Sequence, residues 1–309
     1  MDIFRPKKQG RKFIIVYKDS IRVLEDYIRS LELIDKVIEI DQFDGSKFLS
    51  SNDVYIFTQM WLPPTSQNKL LINNPRFIFL NVENLTEELR NNQMKEFIKA
   101  GARVADYSQA NIAIMNAFIK EQCPTYKYTP LWIPYQAHPI DFCQLFNGER
   151  EYEYDIGMVN AIVKKDDSVN SHIVYRRNLL WEKIEKLPYK SINIMGWNKE
   201  RDELIRKCKI IVNVHVFDCF SIFQHIRCDR LIFANKLIVS EKSLIADQLD
   251  INGTVVFSEY DNLIDTIKSS LDYFDSIQSS LENIPKQPIK KHRQIQLQQS
   301  VDDICKHIK

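Results

Sequence analysis

The sequence predicts an α/β protein built from two βαβ domains. Three observations lead there. Short apolar runs alternate with segments of helical period along almost the whole chain. That alternation breaks between Pro134 and Tyr154 and then restarts. The length, 309 residues, is enough to bury two ordinary cores.

In the first half, Lys12–Tyr17 is an apolar run short enough for a buried strand. Ser20–Leu33 follows at helical spacing, with Ile21, Leu24, Tyr27, Ile28 and Leu31 on one stripe and Ser20 placed to cap it. Lys36–Ile40, Asp53–Thr58 and Arg76–Asn81 read as further strands. The helix Thr86–Ala100 then ends at Gly101, where a left-handed residue belongs. Arg103–Ala105, the helix Ser108–Glu121 and Leu131–Ile133 complete a first domain, residues 1–135. Pro134, Pro139, Asn147-Gly148 and the acidic run Glu149–Asp155 form the connection.

The second domain, residues 154–284, repeats the rhythm. Strands are expected at Asp155–Val159, Ser191–Met195, Ile210–Val214, Leu237–Val239 and Thr254–Ser258. Helices are expected at His172–Leu187, Glu200–Cys208, Phe220–Ala234 and one long stretch, Tyr260–Ile284. Pro285 and Pro288 interrupt the pattern. A polar helix, Lys290–Ile308 within residues 285–309, is long enough to return to the first domain. Strand–helix alternation of this kind makes parallel sheets covered on both faces.

Composition narrows the function. Lys and Arg number 42 against 41 Asp and Glu, a net charge of +1, so nothing favours nucleic acid as a partner. No apolar run reaches the eighteen residues of a membrane span, and the apolar stretch Phe13–Tyr17 is too short for a signal peptide, so a cytoplasmic protein is expected. The six cysteines contain no CxxC pair and read as reduced thiols. His215 with Cys219 and His225 with Cys228 have zinc-like spacing, but neither matches a finger or ribbon pattern. Only 7 glycines occur, with no GxGxxG and no GxxxxGK[ST], so a phosphate must be held by helix N-termini and side chains. The same gap argues against a dinucleotide-dependent oxidoreductase.

Lys207–Glu241 is the densest stretch. Polar residues His215, Gln224, His225, Arg227, Asp229 and Arg230 are set between two buried strands. Open α/β sheets hold ligands just beyond the carboxyl ends of such strands. The pieces Tyr154–Ala161 (YDIGMVNA), Tyr175–Leu180 (YRRNLL), Met195–Ile205 (MGWNKERDELI), Cys208–His215 (CKIIVNVH) and Ile222–Glu241 occur in an order and spacing that can be compared with known families. In these, residues 154–273 resemble GT-B-fold glycosyltransferases, in particular the CgeB-like group with its giant-virus and bacterial members. Asp106–Ile112 (DYSQANI) resembles an element of the family's first domain.

The resemblance implies two Rossmann-like domains facing a cleft, with the C-terminal helix packing back on the N-terminal domain. It implies a hexosyltransferase-like enzyme moving sugar from a nucleotide-diphosphate donor, held by the second domain, to a hydroxyl of a glycan, protein or small-molecule acceptor on the first. Charge then grows on the leaving β-phosphate, which fixed cations and helix N-termini stabilise. The chain has no DxD motif to hold a divalent cation, so no metal and no other cofactor is expected. The expected donor-binding residues are Asn160, Arg176, Arg177, Trp197, His215, Gln224, Arg227, Asp229 and Glu241. Arg176 and Arg177 lie early in their helix, suited to a bidentate grip on phosphate; the plain alternative is an ion pair with Glu182 or Glu185. Arg230 stands where such enzymes carry the glutamate that holds ribose, which leaves that task to Asp229 or Glu241. Gln224, an amide where relatives often have Glu, binds but cannot act as a base.

Asp19 and Glu83, each leaving a buried strand directly into a turn, are the candidate catalytic bases, ahead of Asp44 and Asp106. Strand-end carboxylates also cap helices. The departures at Gln224 and Arg230 keep a second reading open: a catalytically degenerate relative that binds nucleotide-sugar or glycan.

Overall fold

A computed structural model of the chain describes residues 3–17, 24–58, 71–139, 151–159, 175–196, 198–251 and 253–308. It contains two parallel sheets, of six and five strands. The chain divides into two compact units, residues 2–136 with 290–309, and residues 137–289.

In the first unit the strands are β1 (Phe13–Tyr17), β2 (Lys36–Glu39), β3 (Val54–Phe57), β4 (Phe77–Asn81), β5 (Arg103–Asp106) and β6 (Leu131–Trp132), in the order β2-β1-β3-β4-β5-β6. The helices between them are α1 (Glu25–Leu31), α2 (Gly45–Ser50), α3 (Glu88–Lys99) and α4 (Gln109–Gln122). Central strands are buried end to end, so they read as unbroken apolar runs rather than as alternation. Phe79 of β4 stacks on Phe97 of α3 with ring centroids 4.2 Å apart. Burying each such ring contributes about 1.5–3 kcal/mol. Gly101, with φ +85°, closes α3, and Ser108 caps α4 by accepting from the Asn111 amide.

The second unit carries β7 (Tyr154–Met158), β8 (Ser191–Asn193), β9 (Cys208–Asn213), β10 (Leu237–Glu241) and β11 (Val256–Ser258), in the order β11-β10-β9-β7-β8. Its helices are α5 (Tyr175–Ile184), α6 (Asn198–Arg206), α7 (His225–Phe233), α8 (Ile245–Ile251), α9 (Leu263–Asp272) and α10 (Phe274–Asn283). Apolar layers cover both faces, one around Phe223, Leu231 and Ile238, the other around Leu180, Leu263 and Ile267. Gly157 in β7 sits where an added Cβ would come within 2.6 Å of Cys208 Sγ, so glycine is required by close packing. Strand order reverses between β7 and β9, which places the crevice for a ligand beyond their carboxyl ends.

The last helix, α11 (Gln287–Lys306), supplies residues 290–306 to the first unit. Arg103, fully buried, pairs with Asp303, and Ser300 Oγ donates to the Trp132 carbonyl at 2.8 Å. Three local expectations change. The helix α2 was not expected; Asp44 caps it through the Ser46 and Lys47 amides, which gives that carboxylate a structural task. The helix α8 was not expected either. The long helix expected over Tyr260–Ile284 is divided at Tyr273, whose φ and ψ of -110° and 26° leave the helical region. The expected cap Ser20 lies outside the described residues.

Candidate functional site

At the carboxyl end of the second sheet, register sets Ser240 of β10 beside Asn213 of β9. Asn213 is fully buried and donates from Nδ2 to Ser240 Oγ at 3.0 Å. Its Oδ1 accepts from Arg227 Nη1 at 3.2 Å. Arg227 projects there from the first turn of α7. Arg176 and Arg177 open α5, the helix after β7, and reach the same strand end. Arg176 Nη1 faces the His215 carbonyl at 3.4 Å, and Arg177 Nε donates to the Val214 carbonyl at 3.4 Å.

The two neighbouring arginines are used differently. Arg176 is saturated by protein. It forks onto both oxygens of Glu241 at 2.5 Å, pairs with Asp218 and lies 3.7 Å from the Tyr260 ring centroid. The Tyr260 hydroxyl donates back to the Arg176 carbonyl at 2.8 Å. Arg177 is 7% exposed and, among the described residues, pairs with no carboxylate. Burial first, and then the charge of Arg227, push it down to about 9. A buried cation without a counter-ion costs several kcal/mol unless an anion arrives.

His215 is also fully buried. Its amide donates to Glu241 Oε2 at 3.0 Å, and Nε2 lies 3.1 Å from the Lys242 carbonyl. A carbonyl only accepts, so Nε2 carries the hydrogen. Nδ1 is left a bare acceptor with no partner among the described residues. Burial, aided by Arg176 and Arg177, holds the ring below its ordinary 6.5, so it is neutral at pH 7.

Arg176, Arg177, His215, Arg227 and Glu241 are therefore brought together. Asp229 is not among them: both its oxygens face His225 Nδ1, at 3.0 and 3.1 Å, and it is 1% exposed. His225 Nε2 faces Asp247 Oδ1 at 3.4 Å. Burial alone lowers a histidine; here the two carboxylates outweigh it and hold His225 up at about 10. Both ring nitrogens are thus occupied, which leaves the His225–Cys228 spacing no zinc-like arrangement. Arg230 forms a buried fork with Asp202 at 2.8 Å on both arms, a structural pair. Gln224 occupies the cap position of α7 and makes no side-chain capping bond. Asp19, Asn160 and Trp197 lie outside the described residues.

Glu83 belongs to the first unit. Its carbonyl accepts from Asn81 Nδ2 and Asn111 Nδ2, both at 2.9 Å, so its loop is fixed by side chains of β4 and α4. The carboxylate is 40% exposed and 3.9 Å from Arg90. Asp106 is fully buried and accepts from Asn81 Nδ2 and the Ser108 amide. Asn213, Asp218 and Tyr260 were missed by sequence reasoning. Asn213 carried a signal, as a lone amide ending an apolar strand; Asp218 and Tyr260 carried none. Among the described residues no group of three or more His, Cys, Asp or Glu is placed to hold a metal ion, and no helix is long and apolar enough to cross a membrane.

No protein-family model matches the chain. Two similar proteins come from Acanthamoeba polyphaga mimivirus, both described as uncharacterized. L137 is 27% identical over 297 residues, covering 92% of this chain and 36% of its own length; L140 is 26% identical over 281 residues, covering 88% and 83%. The chain thus spans about a third of L137 and most of L140. Among solved structures, a UDP-forming α,α-trehalose-phosphate synthase from Burkholderia xenovorans, in complex with glucose-6-phosphate, superposes with a TM-score of 0.50. It is 10% identical and covers 97% of this chain and 100% of its own. The chain shares that synthase's fold. A glycosyltransferase from Rickettsia africae gives 0.46 at 13% identity, covering 96% and 100%.

Proposed function

We propose that the protein is a glycosyltransferase. It moves a sugar, a hexose in this reading, from a nucleotide-diphosphate donor to an acceptor hydroxyl, without a divalent cation, in the cytoplasm. The observation that supports this most is Arg177: a buried guanidinium with no carboxylate partner among the described residues, beside Arg227, at the point where strand order reverses. Such a guanidinium suits the negative charge of a pyrophosphate. The relation to the CgeB-like group rests on residues 154–273 and belongs to the same proposal.

In this mechanism Arg177 and Arg227 hold the pyrophosphate and take up charge as the bond from the anomeric carbon to the β-phosphate breaks. His215, whose buried neutral ring lies at this strand end, is a proposed donor contact on sequence grounds. Arg176 is a positioning residue that aims the Glu241 carboxylate. Asn160, Trp197 and Gln224 are proposed donor contacts on sequence grounds. Asp19 or Glu83 takes the proton of the acceptor hydroxyl. Saturation of Arg176 and Glu241 by each other favours one further reading, a protein that binds nucleotide-sugar without transferring it.

A melting-temperature panel of UDP, GDP and their hexose conjugates, with and without EDTA, tests this. A shift that survives EDTA is expected. A shift that requires a divalent cation contradicts the metal-free mechanism, and no shift with any nucleotide contradicts the donor reading. Slow hydrolysis of the donor separates a transferase from a binding protein.

A further inference from the structure

The first unit has a groove that shares no residue with the proposed donor site. It is a cavity of about 560 Å³ along the edge strand β6. One wall is a face of α4, at Gln109, Ala113 and Asn116; the other is a face of α11, at His292, Gln296 and Gln299. The spacing on each helix places these side chains in a row. From His292 to Asp303 the α11 wall runs about 16 Å.

Four carboxamides recur along the walls, set among Ile112, Ala113, Pro130 and Leu131. Gln109, Asn116, Gln296 and Gln299 make no side-chain hydrogen bond to protein among the described residues. Each carboxamide offers two donors and one acceptor, the match for hydroxyl groups that both give and take hydrogen bonds. Among the described residues no Lys or Arg lines the groove, and the one carboxylate there, Asp303, is neutralised by Arg103. The site therefore does not select for charge. Buried Trp132, with its ring centroid 5.5 Å from that of exposed His292, lines the groove beside the amides. A peptide would dock here by adding to the β6 edge, but the Trp132 carbonyl on that edge is already bonded by Ser300.

We propose that the groove between α4 and α11 binds an uncharged oligosaccharide, several sugars long, through its four carboxamides. The inference does not depend on donor binding in the second unit.

The test uses the full chain, labelled with nitrogen-15, and follows the side-chain carboxamide signals of Asn116, Gln296 and Gln299. The probes are linear hexasaccharides of β-1,4-glucose, α-1,4-glucose, mannose and N-acetylglucosamine, with an uncharged Ser-Gly hexapeptide alongside. At least one hexasaccharide is expected to shift these signals saturably. Gln296→Ala with Gln299→Ala should weaken that binding about tenfold, by loss of two hydrogen bonds. Asn116→Ala, on the opposite wall, should weaken it too, so the conclusion does not hang on one helix. No saturable shift with any hexasaccharide overturns the proposal. So does binding that both variants leave unchanged, or a peptide that shifts the same signals as strongly. UDP-induced stabilisation should be unaltered in these variants, so a failure here is distinct from a failure of donor binding.

Discussion

The second unit buries two arginines in opposite surroundings. Arg230, 2% exposed, is finished by the protein: Asp202 meets both arms of its fork. Arg177, 7% exposed, has one long bond to a carbonyl and another arginine for a neighbour. Its two buried histidines repeat the contrast. His225 is clamped between Asp229 and Asp247, whereas His215 keeps a ring nitrogen with no partner among the described residues. A buried charge that the fold satisfies holds elements together; one left unsatisfied is a candidate ligand site.

The largest effect that tests this contrast is Arg230→Met. It leaves buried Asp202 with Arg201 as its remaining cation among the described residues and should cost about 3 kcal/mol in denaturant unfolding. Arg177→Met should go the other way, stabilising the free protein by about 1 kcal/mol because a buried cation with no carboxylate partner among the described residues is removed. A loss of stability there would mean that Arg177 has a structural partner.

The histidines predict opposite slopes of stability with pH. His225 is held at about 10, above its ordinary 6.5, so its contribution is whole below about pH 6.5 and is lost as the pH climbs through about 10. His215 is held below 6.5, so its contribution is whole above that value and is lost as the pH falls through its folded value. Melting curves of His225→Phe should lack the alkaline fall, and those of His215→Phe should lack the acid one. The smallest expected effect is Arg176→Lys, which turns a fork on Glu241 into a single contact and should cost about 1 kcal/mol or less. Donor affinity would fall modestly, while loss of donor binding altogether would promote Arg176 from positioning residue to ligand.

Much of the architecture was legible because buried parallel strands and amphipathic helices leave distinct periods. The position of Glu241, at the carboxyl end of a buried strand, was legible in the same way. What stayed hidden was local. The helix α2 is six residues with one buried side chain, Phe48, too short to show a period. The break at Tyr273 has no proline or glycine to announce it. Asp229 was expected at the donor because of its sequence position, yet the i, i+4 spacing from His225 already placed both on one helix face. The division of labour between Arg176 and Arg177 depends on which face of α5 meets Glu241, and adjacent residues carry no such signal.

The measurement closest to the central claim is the binding of UDP or GDP in EDTA to the wild-type chain and to Arg177→Met, followed by calorimetry. Saturable binding to the wild type and its loss in the folded variant are the predicted result. Equal binding to both would show that the buried Arg177 guanidinium is not where the pyrophosphate sits.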